Sequence, residues 1–172
     1  MSKQAGYGAR QSLGYLLNRT ADIVATAASE LLRPESISLL EWRVLTVLTD
    51  HDLQTLSELA AHAGTELSYL SRVVLQAEEQ GYVRRFTSAD DRRSTRVAIT
   101  DAGRGIVQAI VPRMKVLEES LLQGIPPDEV DVLRRSLQAL YANVLSLHPA
   151  ASAGRKLKVA VRMGARNRSI KA

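Results

Sequence analysis

A chain of 172 residues fits one domain, or one domain with an extension. At 45% hydrophobic residues it can build a core, and with one Trp and one Phe the packing falls to Leu, Val, Ala and Ile. The lack of Cys excludes a disulfide framework, thiolate zinc sites, a thiol nucleophile and a thiol redox sensor. The net charge of +5 is local: residues 149–172 hold seven bases and no acid, and the other 148 residues hold 16 bases and 18 acids. A nucleic acid would have to meet a patch rather than a generally basic surface.

The opening MSKQAGYGARQS lacks the apolar run of a signal peptide. No apolar run approaches the roughly 18–20 residues that span a bilayer. A soluble, cytoplasmic protein with no membrane contact is the expectation.

Residues 9–33 predict a long helix, with Leu13, Leu16, Leu17, Thr20, Ile23, Val24, Ala27 and Leu31 at helical spacing and Pro34 as its end. A second helix is predicted at about 38–49, with Ser38 as N-cap and Leu40, Val44, Leu45 and Leu48 on one face. Residues 55–63 form a third. Thr55 and Glu58 make its capping box, and Gly64 stops it. The fourth runs over 66–80 and ends at Gly81.

After Gly81 the period changes to two. Tyr82, Arg84 and Phe86 alternate with Val83, Arg85 and Thr87, and Val97 and Ile99 alternate with Arg96 and Ala98, around a polar turn at 88–93. This predicts a β-hairpin. Thr100 caps a long helix from Asp101 to about Leu122, and Gly124-Ile-Pro-Pro127 breaks it. The last helix spans 128–147, with Val130, Leu133, Leu137, Leu140, Tyr141, Val144 and Leu147 as its apolar stripe. Residues 149–154 read as a linker into the basic tail, where KLKVAVRM (156–163) alternates like a strand or a segment that orders on a partner.

Two short helices joined by a tight turn and followed by a hairpin make a winged helix-turn-helix. The fold class is therefore mainly α, with long helices at both ends and one β-hairpin wing. On the 66–80 helix, Leu70, Val73, Val74 and Ala77 face the core, while Ser68, Tyr69, Ser71, Arg72 and Gln76 face away. Such a helix fits the major groove of double-stranded DNA. Arg72 suits guanine O6 and N7, worth about 1–3 kcal/mol of discrimination. Gln76 suits adenine or a phosphate, and Ser68, Ser71 and Tyr69 suit phosphates. A solvated helix face is the plainer reading of the same residues, and the hairpin that follows weighs against it.

The chain resembles the multiple antibiotic resistance regulator (MarR) family of bacterial transcription factors over about residues 12–147. Four segments carry the resemblance: LLEWRVLTVL (39–48), LSELAAHAGTELSYLSRVVLQAEEQGYVRR (56–85), DDRRSTRVAIT (90–100) and TDAG (100–103). An Asp-Arg-Arg, a strand and then Thr-x-x-Gly is the specific part. Leu75, Ala77, Glu66 and Ser88-Ala89 depart from the usual family pattern.

The resemblance implies a DNA-binding lobe at about 38–100 and dimerisation helices at about 9–33 and 101–147 within one domain of residues 1–148. It implies a homodimer with two recognition helices about one DNA turn apart. Arg93 is the residue it places in the minor groove, Asp91 orients the wing by pairing with one of its arginines, and Arg92, Arg96 and Arg85 contact phosphates or brace.

The resemblance also implies repression relieved by a small aromatic or phenolic acid, with no other cofactor and no metal. Tyr15 and Arg19, one turn apart, offer a wall and a cation, and Arg43 and His51 are further candidates. Pairing of Arg19 with Asp22 competes with that role.

Other functions fit less well. His51, His62 and His148 have neither metal-ligand spacing nor a catalytic arrangement, and no glycine-rich phosphate loop follows a strand, so no enzyme is expected. An adaptor that uses the winged helix for protein contacts leaves the wing arginines without work. Sequence-independent DNA binding through the basic tail is the remaining alternative.

Overall fold

The computed structural model describes residues 9–87 and 95–147. The elements are α1 (Leu13–Leu32), α2 (Leu39–Asp50), β1 (Gln54–Thr55), α3 (Leu56–Ala63), α4 (Leu67–Glu79), β2 (Val83–Thr87), β3 (Thr95–Ile99), α5 (Asp101–Leu121) and α6 (Pro127–Leu147). The predicted winged helix-turn-helix with long helices at both ends is the fold that forms.

Local sequence explains the boundaries. Ser38 accepts the Glu41 N–H at 3.1 Å, and Glu41 Oε2 accepts the Ser38 N–H at 2.9 Å, so α2 starts on a full capping box rather than on Ser38 alone. The Glu41 side chain is buried, and its other oxygen, Oε1, has no hydrogen-bond partner among the described residues. Thr55 and Glu58 form the predicted box on α3. Pro34 does not end α1 abruptly, because its fixed φ suits the single 3-10 turn Arg33–Glu35 that follows Leu32. Gly64 and Gly81 adopt φ of +66° and +79°, a conformation only glycine takes without strain, where α3 and α4 stop. Pro127 opens α6 at a position where its missing N–H has no intrahelical partner to lose.

The sheet has the order β1-β3-β2, antiparallel throughout. Val83 pairs with Ile99 and Arg85 with Val97. The third strand was not expected. Gln54 and Thr55 pair with Val97 and Arg96, and two residues are too few to show a period.

The core lies between the end of α1, helices α2 to α4, the sheet and the first half of α5. Leu32, Leu45, Leu48, Leu59, Leu70 and Ile110 are among its fully buried side chains. Each contributes on the order of 2 kcal/mol by leaving water. The outer helices contrast with this. Among described residues α1 buries only Ala28 and Leu32, and α6 only Val130. Leu13, Leu16, Leu17 and Ile23 on α1, and Leu133, Leu137, Tyr141 and Val144 on α6, lie exposed in the single chain.

Candidate nucleic-acid interface

Helix α4 is held from one side. Leu70, Val73, Val74 and Ala77 are buried, and their spacing of three and four turns the opposite side outward. On that side Ser68, Tyr69, Arg72 and Gln76 are exposed and Ser71 is half-buried. Five side chains able to donate or accept hydrogen bonds thus share a convex face of the right diameter for the major groove.

The wing is tied to α4 by Glu78. Its Oε1 accepts the Arg85 N–H at 2.8 Å and its Oε2 accepts Arg85 Nε at 2.5 Å. The backbone N–H of Arg85 is the largest reason that the Glu78 carboxyl sits below its usual value, and the guanidinium adds to it. Arg85 is therefore the brace, of the two roles open to it in the sequence.

The Thr-x-x-Gly motif closes the base of the wing. The Thr100 N–H donates to Tyr82 O at 3.0 Å. The Thr100 hydroxyl is shared between Gly81 O at 2.7 Å and Tyr82 O at 3.1 Å, and it accepts the Gly103 N–H at 3.1 Å. One side chain thus caps α5 and holds the junction of α4 and β2. Gly103 is there because α5 passes so close to that junction. A Cβ at Gly103 would lie 2.2 Å from Tyr82 O and 2.8 Å from Ile99 Cγ1.

Asp52 is the residue that reading the sequence missed. Its Oδ1 accepts the N–H groups of Leu53 (2.9 Å) and Ile99 (3.0 Å), and its Oδ2 accepts Arg104 Nη2 at 2.8 Å. Leu53 sits at φ +58°, a costly conformation for a branched residue, and its carbonyl accepts Arg96 Nη1 at 3.0 Å. One carboxylate thus joins the loop after α2, the end of β3 and the start of α5. The only sequence signal was an Asp one residue past the α2 cap, which by itself marks no more than a turn.

Arg96, predicted on the DNA side, uses one of its five N–H donors on Leu53 O, and its side chain is exposed. Arg92, Arg93 and Asp91 lie outside the described residues, as does the tail. The effector candidates are spread over α1, α2 and the residue that follows α2. Tyr15 and Arg19 are exposed on α1, and Arg19 makes no ion pair with Asp22. Arg43 Nη1 reaches Ala63 O at 3.5 Å, bracing α2 on α3. His51 is exposed, and its N–H caps α2 on Val47 O. A cleft of about 400 Å³ opens at the elbow of α5 and α6, against Leu122, Ile125 and Val130. Its Arg134 is already paired with Glu118 at 2.8 Å.

Comparison with known proteins agrees with this geometry. The model of the MarR family matches residues 37–95. The chain is 27% identical over 133 residues to the HTH-type transcriptional repressor IacR of Pseudomonas putida, covering 77% of this chain and 80% of that protein. Among solved structures, a MarR-family transcriptional regulator from Silicibacter pomeroyi superposes with a TM-score of 0.74 at 28% identity, over 83% of this chain and 97% of that one. CouR from Rhodococcus jostii RHA1, solved with p-coumaroyl-CoA bound, superposes with a TM-score of 0.69 at 25% identity, over 76% and 91% of the two chains.

Proposed function

We propose that this chain, whose residues 37–95 match the MarR family model, is a homodimeric repressor that binds a palindromic operator and leaves it when a small aromatic or phenolic acid binds. The observation that carries the proposal is the outward face of α4. Ser68, Tyr69, Arg72 and Gln76 are exposed there, and neither the core nor any ion pair among the described residues uses them. Arg72 reads a guanine, Gln76 an adenine or a phosphate, and the serines and Tyr69 fix the register on phosphates. Arg93 enters the minor groove, Arg92 and Arg96 contact phosphates, and Asp91 holds the tip, as the resemblance assigns them.

Dimerisation is supported by the exposed stripes of α1 and α6, which are too apolar to be left in water along two helices of 20 and 21 residues. The phenolic part of the effector class is supported by the related regulator that was solved with p-coumaroyl-CoA, a thioester of a phenolic acid. Tyr15 and Arg19 supply a ring and a cation for a carboxylate, and Arg43 and His51 complete that candidate set.

The test is selection of sheared source-genome DNA on the purified protein at near-physiological salt, followed by sequencing of what is retained. An enriched inverted repeat with half-sites about 34–36 Å apart is the expected result. Arg93→Ala should then weaken binding to every site, and Arg72→Ala should relax preference at one base. Retention without a shared motif, abolished by deleting residues 150–172, would transfer the activity to the tail.

A further inference from the structure

The outward face of α4 carries one side chain that the polar contacts leave unexplained. Leu75 lies between Arg72 and Glu79, in a stripe with Ser68 at spacings of four, three and four, on the side opposite Leu70, Val73, Val74 and Ala77. It is 42% exposed. Most other exposed apolar side chains of the described residues sit on α1, α5 and α6, where a second copy covers them in the proposed dimer. Leu75 does not belong to that set. Its neighbours on the stripe are polar or charged, and the other side of its helix is core.

We infer that Leu75 reads a thymine by packing on its 5-methyl group in the major groove. The inference rests on the proposed DNA contact of α4 and adds a specificity-determining residue to it. The chemistry narrows the occupant to one base. Of the groups that base pairs present in the major groove, only the thymine methyl is apolar. Set against the cytosine amino group or the acceptors of guanine, the same leucine would strip water from polar atoms and give them no partner. Leu75 therefore selects in two ways, by burying a methyl and by rejecting a G·C pair at that step. Its Cβ is about one helical turn from that of Arg72, about 5–6 Å away through space. The thymine it reads thus falls within about two base pairs of the guanine read by Arg72.

The experiment uses the full-length protein and the operator that it selects. Each thymine of the half-sites is replaced in turn by deoxyuridine, which lacks only the 5-methyl group, and affinity is measured by fluorescence anisotropy. One symmetric thymine is expected at which the replacement weakens binding about four-fold per half-site, the worth of one buried methyl. Leu75→Ala should bind the thymine and deoxyuridine duplexes equally and should tolerate cytosine better than the wild-type protein does. The variant truncates an exposed residue to a good helix former, so the fold is retained. If the wild-type protein binds its operator but no deoxyuridine replacement weakens it, the inference is overturned while the proposed function stands. The same holds if Leu75→Ala keeps the full deoxyuridine effect. If no operator is bound at all, the proposed function fails first and this inference with it.

Discussion

Replacing Gly103 with alanine sets one methyl against the base of the wing. The new Cβ would lie 2.2 Å from Tyr82 O and 2.8 Å from Ile99 Cγ1. A carbon and a carbonyl oxygen rest no closer than about 3.3 Å, so α5 and the junction of α4 and β2 must separate by roughly 1 Å. The carbonyl that is pushed also accepts the Thr100 N–H and hydroxyl, and both bonds are strained by the movement. Overpacking costs about 1–3 kcal/mol, and each weakened bond up to about 1 kcal/mol. Alanine gains only about 1 kcal/mol over glycine in a helix interior. The loss wins by about 2–3 kcal/mol, which lowers the melting temperature by roughly 5–10 °C in a protein of this size. Circular-dichroism melting at a fixed protein concentration measures it, because dimerisation makes the midpoint concentration-dependent. A Gly103→Ala protein that melts within about 1 °C of wild type would show that the close approach of α5 to Tyr82 has been misjudged.

Three further outcomes follow from the same geometry. Asp52→Asn removes the exposed ion pair to Arg104 and leaves an oxygen for the N–H groups of Leu53 and Ile99, so it should cost under about 1 kcal/mol; Asp52→Ala orphans both groups and should cost about 2–3 kcal/mol in urea titrations. Equal costs would mean that the ion pair, and not the backbone bonds, is what Asp52 supplies. The Thr55 backbone N–H and then its hydroxyl hold the Glu58 carboxyl below its usual 4.5, and the Arg85 N–H does the same for Glu78. Their contribution to stability is therefore complete above that pH and is lost as pH falls through the lower folded-state values. The double variant Glu58→Gln, Glu78→Gln should show a flatter fall of melting temperature on acidification, and a slope like that of wild type would contradict the assignment. Leu137→Glu places a charge in the exposed α6 stripe, so light scattering should find the mass falling from twice 18.8 kDa to 18.8 kDa while the winged lobe stays folded. A wild-type protein that is already monomeric would refute the proposed dimer.

What the sequence determined by itself was local. The caps at Ser38, Thr55 and Thr100, the stops at Gly64 and Gly81, the two faces of α4 and the alternation of Val97 and Ile99 each depend on residues within a few positions of one another. Helical or strand periodicity carries such information without knowledge of the fold. The candidate reading face was legible for the same reason, since the buried set Leu70, Val73, Val74 and Ala77 defines its own opposite side.

Only the tertiary structure decided how that face is held. Asp52 meets Ile99 and Arg104 across 47 and 52 residues, and Arg96 meets Leu53 across 43. No period or spacing encodes contacts at that range, because they exist only once β1 has found β3 and α5 has settled on Tyr82. The same limit applies to the end helices. Their stripes could be read as buried, but whether by this chain or by another depends on where the rest of the chain goes, and in the fold it leaves α1 and α6 largely uncovered.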